Sequence, residues 1–475
     1  YQDDYYDWDR EYNFRDRDVL IAGPEARAMA ANFDAFWRAH RSVPAERLND
    51  VGRTLLREGV PTLPPATFRR PERVQRVSAE ANDTEFVTRS FVDTALPVAS
   101  VRYVADLPRK HRREKADAPL AGQHVTEPQL DALIASAQKE VILQTPYLVL
   151  SKPAQKLFRE LRKRPQPPRV VVSSNSLAAT DNPIVYALSY KYKRRNMREL
   201  GFNIFEYKPF PLDAPVDYRN LLPDPIAAPG GEDEGDRNPL IGGSAAGSNA
   251  RSGSSSGSGE GSRQGPLNHR HSDGAYDNAR ARRRAAGSEV ETRLLRTETR
   301  PSFLGSKAVN KPLPVTRKGA RMGLHAKSLV VDRRIGVVGT HNFDPRSENY
   351  NTEGAVIIDD PVFAEELAQS ILRDTHPQNS WTVAPRAKPP VLSGLNYSVG
   401  KASEALPILD FWPWRYATDY EFKPGPECPQ PLPRQDPDFH RCYVAVGDFP
   451  EVNVGPKWLL VRMLTAFGAG LVPIL

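Results

Sequence analysis

The chain has 475 residues, 39% of them hydrophobic, with 44 prolines and 31 glycines. That length holds roughly two to three domains with cores of their own, and two cysteines exclude both a disulfide-dense scaffold and a cysteine-built metal site. A net charge of +7 and a pI near 9.2 suit an anionic partner, phospholipid headgroups or nucleic acid, or else surplus arginine in a solvated segment.

The chain opens Tyr1-Gln2-Asp3-Asp4, without Met or a signal-peptide pattern, and the expectation is a processed segment or a fragment. Residues 18–24 read as a short buried strand stopped by Gly23-Pro24. Met29, Phe33, Phe36 and Trp37 then recur at helical spacing. Residues 43–117 are polar, with an extended piece at 98–104 and a basic stretch at 109–115. Thr126 and Gln129 have capping-box spacing before Leu130, Leu133, Ile134 and Ala137. A strand at 141–147, a basic amphipathic helix at 154–164, a strand at 170–172, a helix at 182–200 and a strand at 203–207 come next. Such alternation predicts an α/β layered fold.

The alternation then fails. Between 242 and 262, 15 of 21 residues are Gly or Ser, a composition that buries too little apolar surface to offset its ordering entropy. Order resumes near Phe303, and a helix at 361–373 closes the unit. The remainder is rich in Pro and aromatics and ends in an apolar tail from Trp458. Arg462 and several glycines interrupt that tail, which fits an interfacial or docked helix better than a spanning one. Cys428 and Cys442 form one bridge if the protein is exported; two unrelated thiols is the preferred reading.

One motif assigns a chemistry. His325-Ala326-Lys327-Ser328-Leu329-Val330-Val331-Asp332 reads H-x-K-x-x-x-x-D and is followed by Gly339-Thr340-His341-Asn342 and by Glu353. On a strand, His325 and Lys327 would share a face. Asp332-Arg333-Arg334 would turn the chain, and 335–338 would return beside it. Phosphodiester transfer needs a nucleophile, a proton donor for the leaving alkoxide and positive charge on the non-bridging oxygens. Imidazole serves the first two and lysine the third. The Asn342 amide can donate to a phosphate oxygen. Glu353, 28 residues beyond His325, is expected to orient its imidazole. Asp332 belongs to the catalytic motif but is itself expected to hold the turn rather than touch substrate.

These residues resemble the active-site signature of the phospholipase D superfamily. Thr145-Pro146-Tyr147, Ser174-Asn175-Ser176-Leu177-Ala178-Ala179-Thr180-Asp181, Phe205-Glu206-Tyr207-Lys208-Pro209 and Asn342-Phe343-Asp344-Pro345-Arg346-Ser347 look like its bacterial cardiolipin synthase-like branch. Tyr5-Tyr6-Asp7 and Arg15-Asp16-Arg17-Asp18-Val19 resemble the segment just past the first of that branch's two motifs. The resemblance implies a lobe of mixed β-sheet flanked by helices (118–212 and 303–385), paired with the remnant of a first similar lobe plus connector (1–117). A disordered insert at 213–302 and a C-terminal region at 386–475 lie outside it.

In such enzymes the first-lobe histidine attacks phosphorus and the second-lobe histidine protonates the leaving alcohol, then activates the acceptor. Carried over, His325 is the general acid/base and Lys327, Thr340 and Asn342 bind phosphate, with no metal or cofactor required. Thr340 stands where the family usually has Ser. The resemblance further implies a phospholipid substrate such as phosphatidylglycerol, a membrane surface as partner, and a bacterial envelope location. An endonuclease of the same superfamily and a non-catalytic lipid-binding lobe are the alternatives; nucleic acid is not favoured. Because the other eight histidines show no second H-x-K-x-x-x-x-D, the polypeptide is expected to be inactive or nearly so alone unless two copies pair.

Overall fold

The computed structural model describes residues 3–9, 11–60, 62, 68, 71–108, 110, 126–213, 312–317, 319–386 and 416–453. The insert expected at 213–302, the basic stretch at 109–115 and the apolar tail lie almost wholly outside the described residues. All described residues belong to one unit, Tyr1–Leu221 with Asn310–Leu475.

Apolar β-branched runs build the centre. Strands β3 (Glu140–Gln144), β4 (Arg169–Asn175) and β5 (Phe202–Tyr207) are parallel neighbours. Antiparallel to β3 runs β7 (Ser328–Val331), then β8 (Ile335–Gly339), β9 (Gly354–Asp359) and β2 (Val101–Ala105). A short helix, α8 (Pro345–Asn349), lies between β8 and β9. On the other edge, β10 (Ser380–Pro385), β11 (Ala417–Phe422) and β12 (Tyr443–Gly447) extend the sheet beyond β5 to ten strands. Alternate side chains of the central strands enter opposite cores. Val141, Leu143, Val170, Val172, Leu329 and Val331 face one, with Leu130, Ile134, Phe158 and Leu161 from α5 (Thr126–Ser136) and α6 (Lys152–Arg162). Ile142, Val171 and Val330 face the other, against Ala364, Leu367, Ala368 and Ile371 of α9 (Pro361–Asp374). Coverage of both faces is why these strands read as continuous apolar runs. A separate two-stranded sheet pairs β1 (Tyr12–Arg15) in parallel with β6 (Arg321–Leu324).

The α/β alternation from 126 to 207 stands as expected, with α7 (Pro183–Arg198) between β4 and β5. Other expectations need correction. Residues 18–22 form no strand, and Leu20 is 75% exposed. Helix α1 (Glu25–Trp37) is present, but Phe33 and Trp37 point outward. Polar contacts hold that helix on β2: the Glu25 carboxylate accepts from Tyr103 N–H at 2.6 Å, and Asn32 donates to Asp106 O at 3.2 Å. Periodicity reveals an apolar stripe but not the side it faces. The polar stretch after 43 contains α2 (Asn49–Glu58), α3 (Pro71–Asn82) and α4 (Thr84–Val87). The reciprocal bond of a capping box is not made: Thr126 N–H donates to Asp106 at 3.2 Å, and the Gln129 side-chain oxygen accepts from Arg102 at 2.9 Å. Helix α9 does not close the unit, since β10 to β12 come after it. Cys428 and Cys442, read as free thiols, are bonded, with Cα atoms 5.5 Å apart in a small core with Phe439, Tyr420 and Tyr443.

Candidate active site

Parallel pairing of β1 with β6 sets the geometry. The register places Arg15 opposite Leu324, so the next residues, Asp16 and His325, leave the two strands side by side. Arg15 O accepts from the N–H groups of His325 (2.9 Å) and Ala326 (3.1 Å). Asp16 Oδ2 then lies 2.7 Å from His325 Nδ1. Phe14 packs on the imidazole with centroids 4.8 Å apart, and Tyr5 meets it edge-on at 5.6 Å. Beyond Asp16, the Arg17 guanidinium is buried among Gln144, Ser328 and Ser370, donating to Ser328 Oγ at 3.0 Å and Ser370 Oγ at 2.8 Å. Burial pushes Arg17 down to about 10 against the pull of Asp374.

His325 and Lys327 meet, though not on one strand as expected. β6 ends at Leu324 and β7 begins at Ser328, so the pair occupies the crossover from the small sheet to the large one. Lys327 Nζ lies 2.7 Å from His325 Nδ1 and 2.9 Å from Nε2. A proton on Nδ1, donated to Asp16, satisfies the carboxylate and leaves Nε2 to accept from the ammonium. Burial lowers Lys327 to about 8, opposed by the negative charge of Asp16, Asp181, Glu353 and Asp344. Burial would raise Asp16, but the hydrogen bond to His325 and the charge of Lys327 outweigh it and hold the carboxyl below its ordinary value.

Glu353 does not orient the imidazole in this structure; Asp16 does. The buried Glu353 carboxylate instead accepts from the Thr340 hydroxyl. Its peptide is pinned by Asp106, whose side chain accepts Glu353 N–H at 2.9 Å. Asn342 sits in the loop between β8 and α8, where Thr145 Oγ1 donates to its carbonyl at 2.6 Å. Its side-chain oxygen is buried without a partner among the described residues. His341 is 4% exposed, and burial with nearby Lys110 lowers it to about 3, so it is neutral. Asp332 lies at the far end of β7 from Lys327. Its carboxylate accepts the N–H groups of Gln138, Lys139 and Glu140 at 2.7 to 2.8 Å. Burial alone would raise Asp332, but those three donors hold it below the usual carboxylate range. It stitches the β7–β8 turn, where Asp332 and Arg333 both have φ of 52°, to β3. The arrangement thus unites His325, Lys327 and Asp16, sets the Thr340–Glu353 pair beside them, and leaves Asp332 apart.

Sequence reasoning missed Asp16 as a site residue. Its signal was the Arg15-Asp16-Arg17-Asp18 run, but the partner is 309 residues away and the pairing of β1 with β6 carries no local mark. Asn175 was missed too: its amide donates to Leu324 O at 2.7 Å and accepts Leu324 N–H at 2.8 Å.

The site residues and the likenesses that follow make this chain similar to proteins of the phospholipase D superfamily. Residues 280–375 match the family model described as cardiolipin synthase, PLD-like domain. Cardiolipin synthase C of Escherichia coli is 26% identical over 211 residues, 44% of this chain and 42% of that protein. An uncharacterized protein of Helicobacter pylori is 22% identical over 386 residues, 80% of this chain and 54% of its own length. The chain therefore spans about half the length of the curated relatives it matches. Among solved structures, the phosphatidylserine synthase of Haemophilus influenzae gives a TM-score of 0.28 at 14% identity, covering 67% of this chain and 48% of that one. A phospholipase D family member, Nuc from Salmonella typhimurium, gives 0.27 at 11%, covering 60% and 97%.

Proposed function

We propose that the protein serves phosphodiester transfer on phospholipids, as a phosphatidyltransferase or phospholipase acting through a phosphohistidine. The observation that carries this reading is the Asp16–His325–Lys327 contact: an imidazole held by a carboxylate at one nitrogen, with an ammonium at the ring. His325 acts as general acid, protonating the leaving alkoxide, and then as base on the acceptor, water or an alcohol such as phosphatidylglycerol. Asp16 holds Nδ1–H, so Nε2 is the nitrogen that carries the proton given to the leaving alkoxide and then, unprotonated, takes the acceptor's proton once Lys327 has turned to the phosphate. Lys327 supplies positive charge to the phosphate oxygens and the Asn342 amide donates to them, joined by the Thr340 hydroxyl once its proton turns from Glu353. The nucleophile this scheme calls for is a second histidine facing His325 from another H-x-K-x-x-x-x-D lobe. The match to a cardiolipin synthase-type domain favours lipid over nucleic acid.

The test is conversion of radiolabelled phosphatidylglycerol in vesicles. The chain alone is expected to be inactive or nearly so unless two copies pair, in which case the rate rises as the square of protein concentration and His325→Ala abolishes it. Product that survives His325→Ala, or cleavage of plasmid DNA in its place, overturns the reading.

A further inference from the structure

The last residue of β6, Leu324, is fully buried and immediately precedes His325. Both of its backbone groups face away from β1 and are taken by one side chain, Asn175 at the end of β4. Nδ2 of the same amide also donates to Pro146 O at 3.3 Å. Asn175 is 3% exposed, so nothing competes for these bonds. It stands in for a neighbouring strand and fastens the small sheet to the large one at the crossover. The segment just beyond it grips the other partner. Ala179 O accepts from Tyr12 Oη at 2.6 Å, and Ala178 O accepts from Arg321 at 3.4 Å. Tyr12 and Arg321 are register partners across β1 and β6. Gly323 permits the approach, since a Cβ there would fall 1.7 Å from Tyr12 Oη.

We infer that Asn175 is a positioning residue for His325: its amide clamps the Leu324 peptide and, with the 178–179 carbonyls on β1 and β6, fixes the register that brings Asp16 to the imidazole. It touches no substrate. Without the clamp, β6 slides or tilts by a fraction of an ångström, and the 2.7 Å contact between Asp16 and His325 is the first to lengthen. A buried amide that merely filled space would leave that contact unchanged.

The test reads the histidine directly and does not depend on the lipid reading. Histidine-labelled protein 1–475 is examined by NMR at one pH, following the ring-nitrogen signals of His325, which Asp16 and Lys327 face, in the unaltered chain, Asn175→Ala and Asp16→Asn. In Asn175→Ala the Nδ1–H signal is expected to move toward that of Asp16→Asn, as the 2.7 Å contact with Asp16 lengthens. A folded variant with unmoved ring-nitrogen signals overturns the inference. So does failure of both Asn175→Ala and the size-matched Asn175→Asp to fold, because the residue would then hold the fold rather than the histidine. In a protein with measurable turnover, Asn175→Ala is further expected to lower kcat about tenfold with KM held.

Discussion

At the scale of single residues the account rests on which carboxylate serves which partner. Asp16 holds the imidazole, while Glu353 holds the Thr340 hydroxyl. Asp16→Asn keeps the size but no longer selects the Nδ1–H tautomer, so turnover is expected to fall by about two orders of magnitude or more. Glu353→Gln is expected to act on phosphate binding through Thr340, raising KM more than it lowers kcat. Steady-state kinetics of the two variants separates these outcomes. Lys327 adds a pH dependence. With its value lowered to about 8, it is charged below that pH and neutral above, so binding of a phosphate analogue such as tungstate should weaken as pH rises through 8. Calorimetry across that range checks it. Stability runs the other way: folding disfavours the charged lysine, so this group's contribution grows from pH 8 toward the free-lysine value.

Among the elements, the β7–β8 hairpin and the C-terminal strands each carry a stability prediction. Asp332→Ala removes an acceptor shared by three backbone N–H groups and puts alanine at a positive φ. A loss of about 2 kcal/mol is expected, measured by denaturant unfolding, with turnover per folded molecule unchanged. Since Asp332 is held below its ordinary value, that stabilisation is present at neutral pH and fades as pH falls through the carboxylate range. The Cys428–Cys442 bond spans 14 residues beside β11 and β12, and such a loop closure contributes about 3 kcal/mol. Reduction should lower the melting temperature and expose the Phe439 core while leaving the His325 ring-nitrogen signals unmoved.

Over the whole molecule, what the sequence disclosed divides along physical lines. The strands from 140 to 207 were legible because burial on both faces makes them continuous apolar runs between capped helices. His325 and Lys327 were legible because the residue types and their spacing are chemically specific. The Asp16 contact, the Asn175 clamp and the addition of β10 to β12 beside β5 were not, because each joins segments far apart in the chain through backbone pairing, which any side chain permits. Helix α1 was legible from its spacing but its seat was not, because Glu25 and Asn32 make its polar contacts with β2 and the residue after it. The proposed function makes His325, held by Asp16, the proton-transferring group of a phospholipid phosphodiester reaction. The most direct measurement compares phosphatidylglycerol conversion by the unaltered protein, His325→Ala and Asp16→Asn at equal folded concentration. At concentrations where two copies pair, conversion is expected to be abolished in the first variant and reduced at least a hundredfold in the second. Conversion that persists in His325→Ala would contradict it.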